Sequence, residues 1–341
     1  MTGTAFVRQA FWGGLWNTAL ISAVLGAKWL LRNRLSIRTQ YRSWYFLAVS
    51  LLLPFFPFGI LRGFLPVGVG LRRAFTISAS SNFADYTLTS GDAWLRDTTI
   101  LRQHPEADRI ALVLLIVWGI GTLLMTLLYC LGNRRLYRTA KSAFNVSSQI
   151  QKEFEKIRME LKVNFNVTLC QSHFFTSPIS FWWGHFFMIL PADRLKKLSN
   201  TDLKNILRHE LTHISHGDPL AAYLFCGIQT IFWCHPLVWI AFHQMRRERE
   251  VYCDWDVMNS LSDEKERIRY GQTILNFAVI ASMRFCTADG LCQGKKQLKY
   301  RLEHIVDFRE DTARKGVLGK CCAVLLTVVV IGQLPFLSVC A

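Results

Sequence analysis

Residues 208–219 read Arg208-His209-Glu210-Leu211-Thr212-His213-Ile214-Ser215-His216-Gly217-Asp218-Pro219, a stretch that contains His-Glu-x-x-His. On a helix, positions i and i+4 share a face, so His209 and His213 can reach one metal ion. Glu210, one residue on, is close enough to act on water at that metal without ligating it. Two imidazoles, a general base and an open coordination position make up the zinc metallopeptidase arrangement. The flanking sequence predicts a helix. Thr201 is the expected N-cap, with Asp202 in the first turn. Leu203, Ile206, Leu207, Leu211 and Ile214 recur at helical spacing, and Gly217 and Pro219 stop the helix. The motif alone also fits two surface histidines beside a surface glutamate, so the rest of the chain has to decide.

The chain has 341 residues, 51% of them hydrophobic, and a formal charge of +16. Its apolar residues are clustered, which argues against a basic nucleic-acid-binding domain and for a membrane protein with arginine-rich cytoplasmic segments. Among its ten cysteines no Cys-x-x-Cys occurs. Neither a disulfide framework nor a cysteine zinc site is indicated, and the cysteines read as small hydrophobes and free thiols.

Four apolar runs are expected to span a bilayer: about 11–31, 44–61, 110–131 and 317–337. Lys28 lies near enough to the end of the first to snorkel. Arg32, Arg34, Arg38 and Arg42 follow the first run, and Arg134, Arg135, Arg138 and Lys141 follow the third. By contrast, residues 62–109 mix six arginines with five acidic residues. The positive-inside rule then places the N-terminus and loop 62–109 outside and residues 133–316 in the cytoplasm. The expected division is a membrane region over 1–132, a cytoplasmic peptidase domain over 133–316, and a fourth span with a short external tail over 317–341. The localisation that follows is the inner (cytoplasmic) membrane.

Within the cytoplasmic part, residues 149–161 are helix-prone, and 167–171 and 186–190 are short β-type runs separated by a Trp182-Trp183-Gly184 turn. A strand just upstream of a metal-binding helix can seat an extended peptide by backbone pairing. Residues 262–280 and the basic, amphipathic 294–308 read as further helices, the latter near the catalytic domain.

Catalytic zinc takes three protein ligands and water. Glu250 and Asp254 are spaced i, i+4, so Glu250 can ligate the metal while Asp254 hydrogen-bonds a ligating histidine. His216 follows too closely on the same helix to complete a tetrahedral site, and His235 and His243 have no carboxylate one turn away. The alternative is a solvated charged face of Glu248, Glu250 and Asp254. A metal shared by His209, His213 and Glu250 requires all three on one side of the membrane. The apolar stretch from Pro219 to Phe242 must then be a buried helix or a hairpin broken near His235-Pro236. Tyr252, His235 and His243 are unranked candidates for an oxyanion donor.

These features resemble the BlaR/MecR-type membrane zinc metallopeptidases, the antirepressor receptors of β-lactam resistance. The resemblance rests on His209 to Ile214 with Gly217-Asp218-Pro219, on His235-Pro236-Leu237-Val238-Trp239, on Glu250 to Asp254, and on Lys299-Tyr300-Arg301-Leu302. It implies Zn2+ as cofactor, His209, His213 and Glu250 as ligands, Glu210 as base and Asp254 behind the ligands. It also implies a cytoplasmic protein substrate such as a transcriptional repressor. The expected fold is an α-helical membrane protein with four transmembrane helices and a cytoplasmic α+β, gluzincin-like peptidase domain. Membrane lipid and a second copy of the chain are further expected partners, and direct contact with nucleic acid is not expected. The receptors carry a penicillin-binding sensor after the fourth span. No such region follows here, so the chain is expected to be a sensorless relative or a truncated receptor, and β-lactam sensing is not carried over. The expected function is a signal-transducing zinc endopeptidase that cleaves a repressor or itself. The alternatives are a housekeeping peptidase for damaged or prenylated membrane proteins and a non-enzymatic membrane scaffold. A site buried in the bilayer is disfavoured by Asp202, Lys204, Asn205 and Arg208 on the motif helix.

Overall fold

The computed structural model describes residues 3–31, 35–52, 105–195, 198–282 and 288–308, with the side chains of 3–13, 16, 105–108 and 277–295 left aside. The expected end of the second span, most of loop 62–109 and the fourth span with its tail lie outside the described residues. The chain divides into two compact units, one of 1–32, 43–124 and 318–341 and the other of 33–42 and 125–317.

In the first unit, α1 (Gly3–Leu31) and the greater part of α2 (Ile37–Leu52) bury Leu20, Ile21 and Val24 together with Trp44, Leu47, Ala48 and Leu51. Lys28 does not snorkel: it is buried, its ammonium 4.2 Å over the Trp44 ring and donating to Ser43 Oγ at 3.0 Å. The third expected span lies within α3 (Pro105–Lys141). Among the described residues, Arg109–Lys141 is the helix long and apolar enough to cross a membrane, and its leucines, isoleucines and valines are largely bare. A helix that is apolar all round and uncovered is at odds with water and suits hydrocarbon.

The second unit is α+β. After α3 come β1 (Phe144–Asn145), α4 (Ser148–Glu160), β2 (Val167–Ser172), β3 (Ile179–Trp183), β4 (His185–Pro191) and the short α5 (Ala192–Leu195). The sheet order is β1-β2-β4-β3, with β2 parallel to β4 and both outer strands antiparallel to their neighbours. The Trp182-Trp183 stretch expected as a turn is thus the end of a strand, with the reversal confined to Gly184 at φ 75°. Bulky aromatic residues favour the pleated conformation, and glycine alone takes the left-handed turn without strain. The two β-type runs read from the sequence are the central strands β2 and β4, β2 being covered on its outer side only where β1 pairs with Cys170 and Gln171; the edge beside the motif helix belongs to β3.

Alternation along β4 builds two cores. Phe186, Met188 and Leu190 face Phe154 and Ile157 of α4 and Leu207, Leu211 and Ile214 of the motif helix. Phe187 and Ile189 face the other way, against Cys170, Phe181 and Ala140. Each fully buried side chain of this kind stabilises the fold by about 1.5–3 kcal/mol, so this packing holds the motif helix against the sheet.

The motif helix is α6 (Asn200–Ser215). Its N-cap is Ser199, whose hydroxyl accepts from Asp202 N, and not Thr201, which lies inside the first turn. Ser199 and Thr201 are both good capping residues, and the backbone enters the helix at the earlier one. Gly217, at φ 72°, ends α6 and starts α7 (Asp218–Ile231), with Pro at the first turn. The chain then breaks at 232–235 and resumes as α8 (Pro236–Ser260). The apolar stretch is therefore a helical hairpin broken before Pro236, and Phe225 packs against Phe242 across it at 5.0 Å. The hairpin returns α8 to α6. A third core of Val257, Met258, Tyr270, Ile274 and Ile305 ties α8 to α9 (Glu264–Ser282) and α10 (Ala288–Val306).

Candidate metal centre

Both imidazoles project from the buried face of α6, and α8 brings a carboxylate to them. His209 Nε2 and His213 Nε2 are 3.2 Å apart, and Glu250 Oε2 lies 3.6 Å from the first and 3.7 Å from the second. Three ligand atoms about 2.0–2.2 Å from a tetrahedral zinc ion are about 3.3–3.6 Å from one another. The three atoms fit that spacing, and their chemistry, two imidazole nitrogens and a carboxylate oxygen, suits zinc.

The remaining ring nitrogens are engaged, which leaves Nε2 on each histidine for a metal. His213 Nδ1 donates to Asp218 Oδ2 at 2.7 Å, and Tyr41 donates to the other oxygen of Asp218 at 2.6 Å. His209 Nδ1 meets the Tyr270 hydroxyl at 2.8 Å, which itself donates to Asp254 Oδ1 at 2.7 Å. Asp254 Oδ1 also lies 3.4 Å from His209 Nδ1 directly. Since a carboxylate can only accept, these bonds put the proton on Nδ1 of both rings and the lone pair on Nε2. Arg301 of α10 grips Asp254 with two bonds, 2.6 and 2.7 Å, and reaches toward Glu250 at 3.5 Å.

Asp254 thus lies behind His209, linked to it mainly through Tyr270. The solvated charged face does not exist: Glu248 and Asp254 are buried, and the Glu250 side chain is 15% exposed. His216 turns away from the centre, stacking on Tyr252 at 4.6 Å with its Nε2 2.9 Å from Asp256. His235 caps the start of α8. Tyr252 is committed to stacking, against Tyr41 as well as His216. Glu210, on the adjoining face of α6, accepts a hydrogen bond at 3.1 Å from Ser180 of β3.

One cysteine comes unexpectedly close. Cys253 Sγ lies within 4.8 Å of donor atoms of both histidines. It sits on the Nδ1 side, 3.5 Å from His209 Nδ1, and donates to the His209 carbonyl oxygen at 3.4 Å. Glu250 Oε2 is set against both Nε2 atoms, while Cys253 with the two histidines is itself a group that could hold a metal.

The electrostatics ask for a cation. Burial works against charge on either imidazole, but Cys253 and Glu250 beside them outweigh it. His209 is pushed up to about 10, and His213 is raised well above the usual imidazole range. Burial would likewise raise Glu250, yet His213, His209 and Arg301 hold its carboxyl well below the usual carboxylate range. Asp218, also opposed by burial, is lowered by His213, Tyr41 and Arg249. A divalent cation where the three atoms converge brings positive charge to the same point.

Tyr41, Asp218, Tyr270 and Arg301 were not singled out as site residues from the sequence. Asp218 carried a signal as part of Gly217-Asp218-Pro219, a stretch on which the family resemblance rests, but only Gly217 and Pro219 were read for what they do. The chain matches the family described as BlaR1 peptidase M56 over residues 14–305. It is 26% identical over 296 residues to the regulatory protein BlaR1 of Bacillus licheniformis, covering 84% of this chain and 49% of that one. To the methicillin resistance mecR1 protein of Staphylococcus aureus it is 25% identical over 308 residues, covering 88% of this chain and 51% of that one. The chain therefore spans about half the length of these relatives.

Proposed function

The chain belongs to the BlaR1 peptidase M56 family, and from that premise we propose that it is an integral-membrane zinc endopeptidase in a signalling pathway. His209, His213 and Glu250 hold the metal and Glu210 is the general base. The observation that carries this reading is the convergence of the three donor atoms within 3.2–3.7 Å of one another. When bound, zinc supplies Lewis acidity toward water and a peptide carbonyl. Glu210 takes the proton from the attacking water and returns it to the leaving amine nitrogen. Ser180 holds one oxygen of Glu210, which keeps the carboxylate aimed while the proton is transferred. β3, the outer strand of the sheet next to α6, is the edge on which this reading seats an extended peptide.

The bare apolar surface of α3 supports membrane insertion. The arginine asymmetry supports the fuller topology: four spans, N-terminus outside, and the peptidase, over residues 133–316, in the cytoplasm. The substrate is a cytoplasmic protein, of which a transcriptional repressor is the case implied by the family resemblance; the chain itself is the other candidate.

The test compares new protein N-termini in cells carrying the wild type and Glu210→Gln. The variant should keep its zinc and lose cleavage by about 10²–10⁴-fold. A fragment of a repressor, or of this chain, that is absent from the variant supports the reading. Cleavage at the wild-type rate removes Glu210 from the mechanism, and fragments drawn only from damaged membrane proteins move the assignment to a housekeeping peptidase.

A further inference from the structure

The short segment after α1 takes part in the metal centre. Tyr41 lies in the first turns of α2, is 3% exposed, and donates to Asp218 Oδ1 at 2.6 Å. The other oxygen of Asp218 accepts from His213 Nδ1 at 2.7 Å. The approach is firmly built. Tyr41 stacks on Tyr252 at 5.3 Å and 26°, Arg38 lies 5.6 Å over Trp255, and Ser36 caps the turn by accepting from Thr39 N at 3.2 Å. Tyr252 and Trp255 belong to α8, the helix that carries Glu250.

We propose that Tyr41 is a positioning residue of the metal centre, completing the His213 side through Asp218. The carboxylate fixes the tautomer of His213 by accepting from Nδ1, and an acceptor held at its second oxygen also holds the ring in one orientation. Asp218 begins a helix directly after a left-handed glycine, so its side chain is fixed from the backbone at one end only. The Tyr41 hydroxyl supplies the second anchor. Displacement of residues 35–42 from α8 therefore withdraws a hydrogen bond from the acceptor of His213, and metal affinity reports where this segment sits.

The inference rests on the proposed function in one respect, that His213 is a ligand. The experiment measures zinc affinity of the full chain in detergent by competition with a chromophoric chelator, and the visible spectrum of the cobalt-substituted protein. The variants are Tyr41→Phe, Asp218→Asn, the two combined, and His213→Ala. Tyr41→Phe keeps the ring stacked on Tyr252 and removes only the hydroxyl. It should weaken zinc binding about tenfold, the low end for an outer partner of a ligand, and shift the cobalt bands. In the Asp218→Asn background the same change should do almost nothing, because Tyr41 acts through that carboxylate. Wild-type affinity and spectrum in Tyr41→Phe, or an undiminished effect in the Asp218→Asn background, overturns the inference while a zinc-deficient His213→Ala leaves the proposed function standing. Wild-type affinity in His213→Ala overturns both.

Discussion

The two histidines of the motif are one helical turn apart, yet they are backed in different ways. Behind His209 stands a redundant network: Tyr270 bridges it to Asp254, Asp254 is itself 3.4 Å from the ring nitrogen, and Arg301 clamps Asp254 from α10. Behind His213 stands a single carboxylate, Asp218, steadied by Tyr41. The first network is drawn from α8, α9 and α10, downstream of the motif. The second depends on the start of α7 and on a segment some 170 residues upstream, since Tyr41 and Asp218 are separated by 177 positions. On the proposed reading, redundancy behind His209 should protect the fold, and the lone carboxylate behind His213 should leave metal affinity open to adjustment.

The comparison is sharpest in stability. Asp254→Ala strips the buried Arg301 of its main partner, and removing one member of a buried pair costs about 3–5 kcal/mol. Asp218→Ala should cost distinctly less, because Arg249 nearby keeps Glu250 as a partner at 3.3 Å. Thermal unfolding of both variants in detergent checks this, and equal losses would remove the distinction between the two sides. Zinc affinity should rank the other way relative to stability. Asp218→Asn should weaken zinc by about 10–100-fold with little loss of fold, as expected for an acceptor behind a metal-ligating histidine. The smallest effect is expected for Tyr270→Phe. With the hydroxyl gone, His209 Nδ1 can turn to Asp254 directly across 3.4 Å, so zinc should weaken by no more than about tenfold. A larger loss than in Asp218→Asn would show that the His209 side has no such reserve.

The difference between the sides also governs what could be read from the sequence. His209, Glu210 and His213 were legible because they lie within one helix, and Glu250 with Asp254 because i, i+4 spacing puts them on one face of another. Requiring those helices to meet left a buried helix or a broken hairpin for the apolar stretch, and the structure has the hairpin. Tyr270 is 61 residues from His209 and Arg301 is 47 from Asp254, and no local periodicity links such pairs. The basic segment before residue 309 was read as lying near the catalytic domain from its position between the catalytic helices and the last span. The residue that reaches the centre is Arg301, through Asp254, while the Lys299 side chain is 80% exposed and pairs loosely with Glu303. Asp218 is visible only within Gly217-Asp218-Pro219, where Gly217 and Pro219 were read as ending the helix and the carboxylate was given no role. Ser199 and Thr201 compete for the same cap on nearly equal chemistry, and the backbone path chooses between them.

The central claim is that Glu250 completes the centre with the two histidines, and Cys253 is the residue best placed to contradict it. Metal content of the purified full chain, measured for Glu250→Ala and Cys253→Ala beside the wild type, tests this most directly. Glu250→Ala should lose most of its zinc. Cys253→Ala should keep it, because its sulfur sits on the Nδ1 side of His209 and not where the Nε2 atoms converge. Full zinc in Glu250→Ala together with loss in Cys253→Ala would contradict the account and make the third ligand a thiolate.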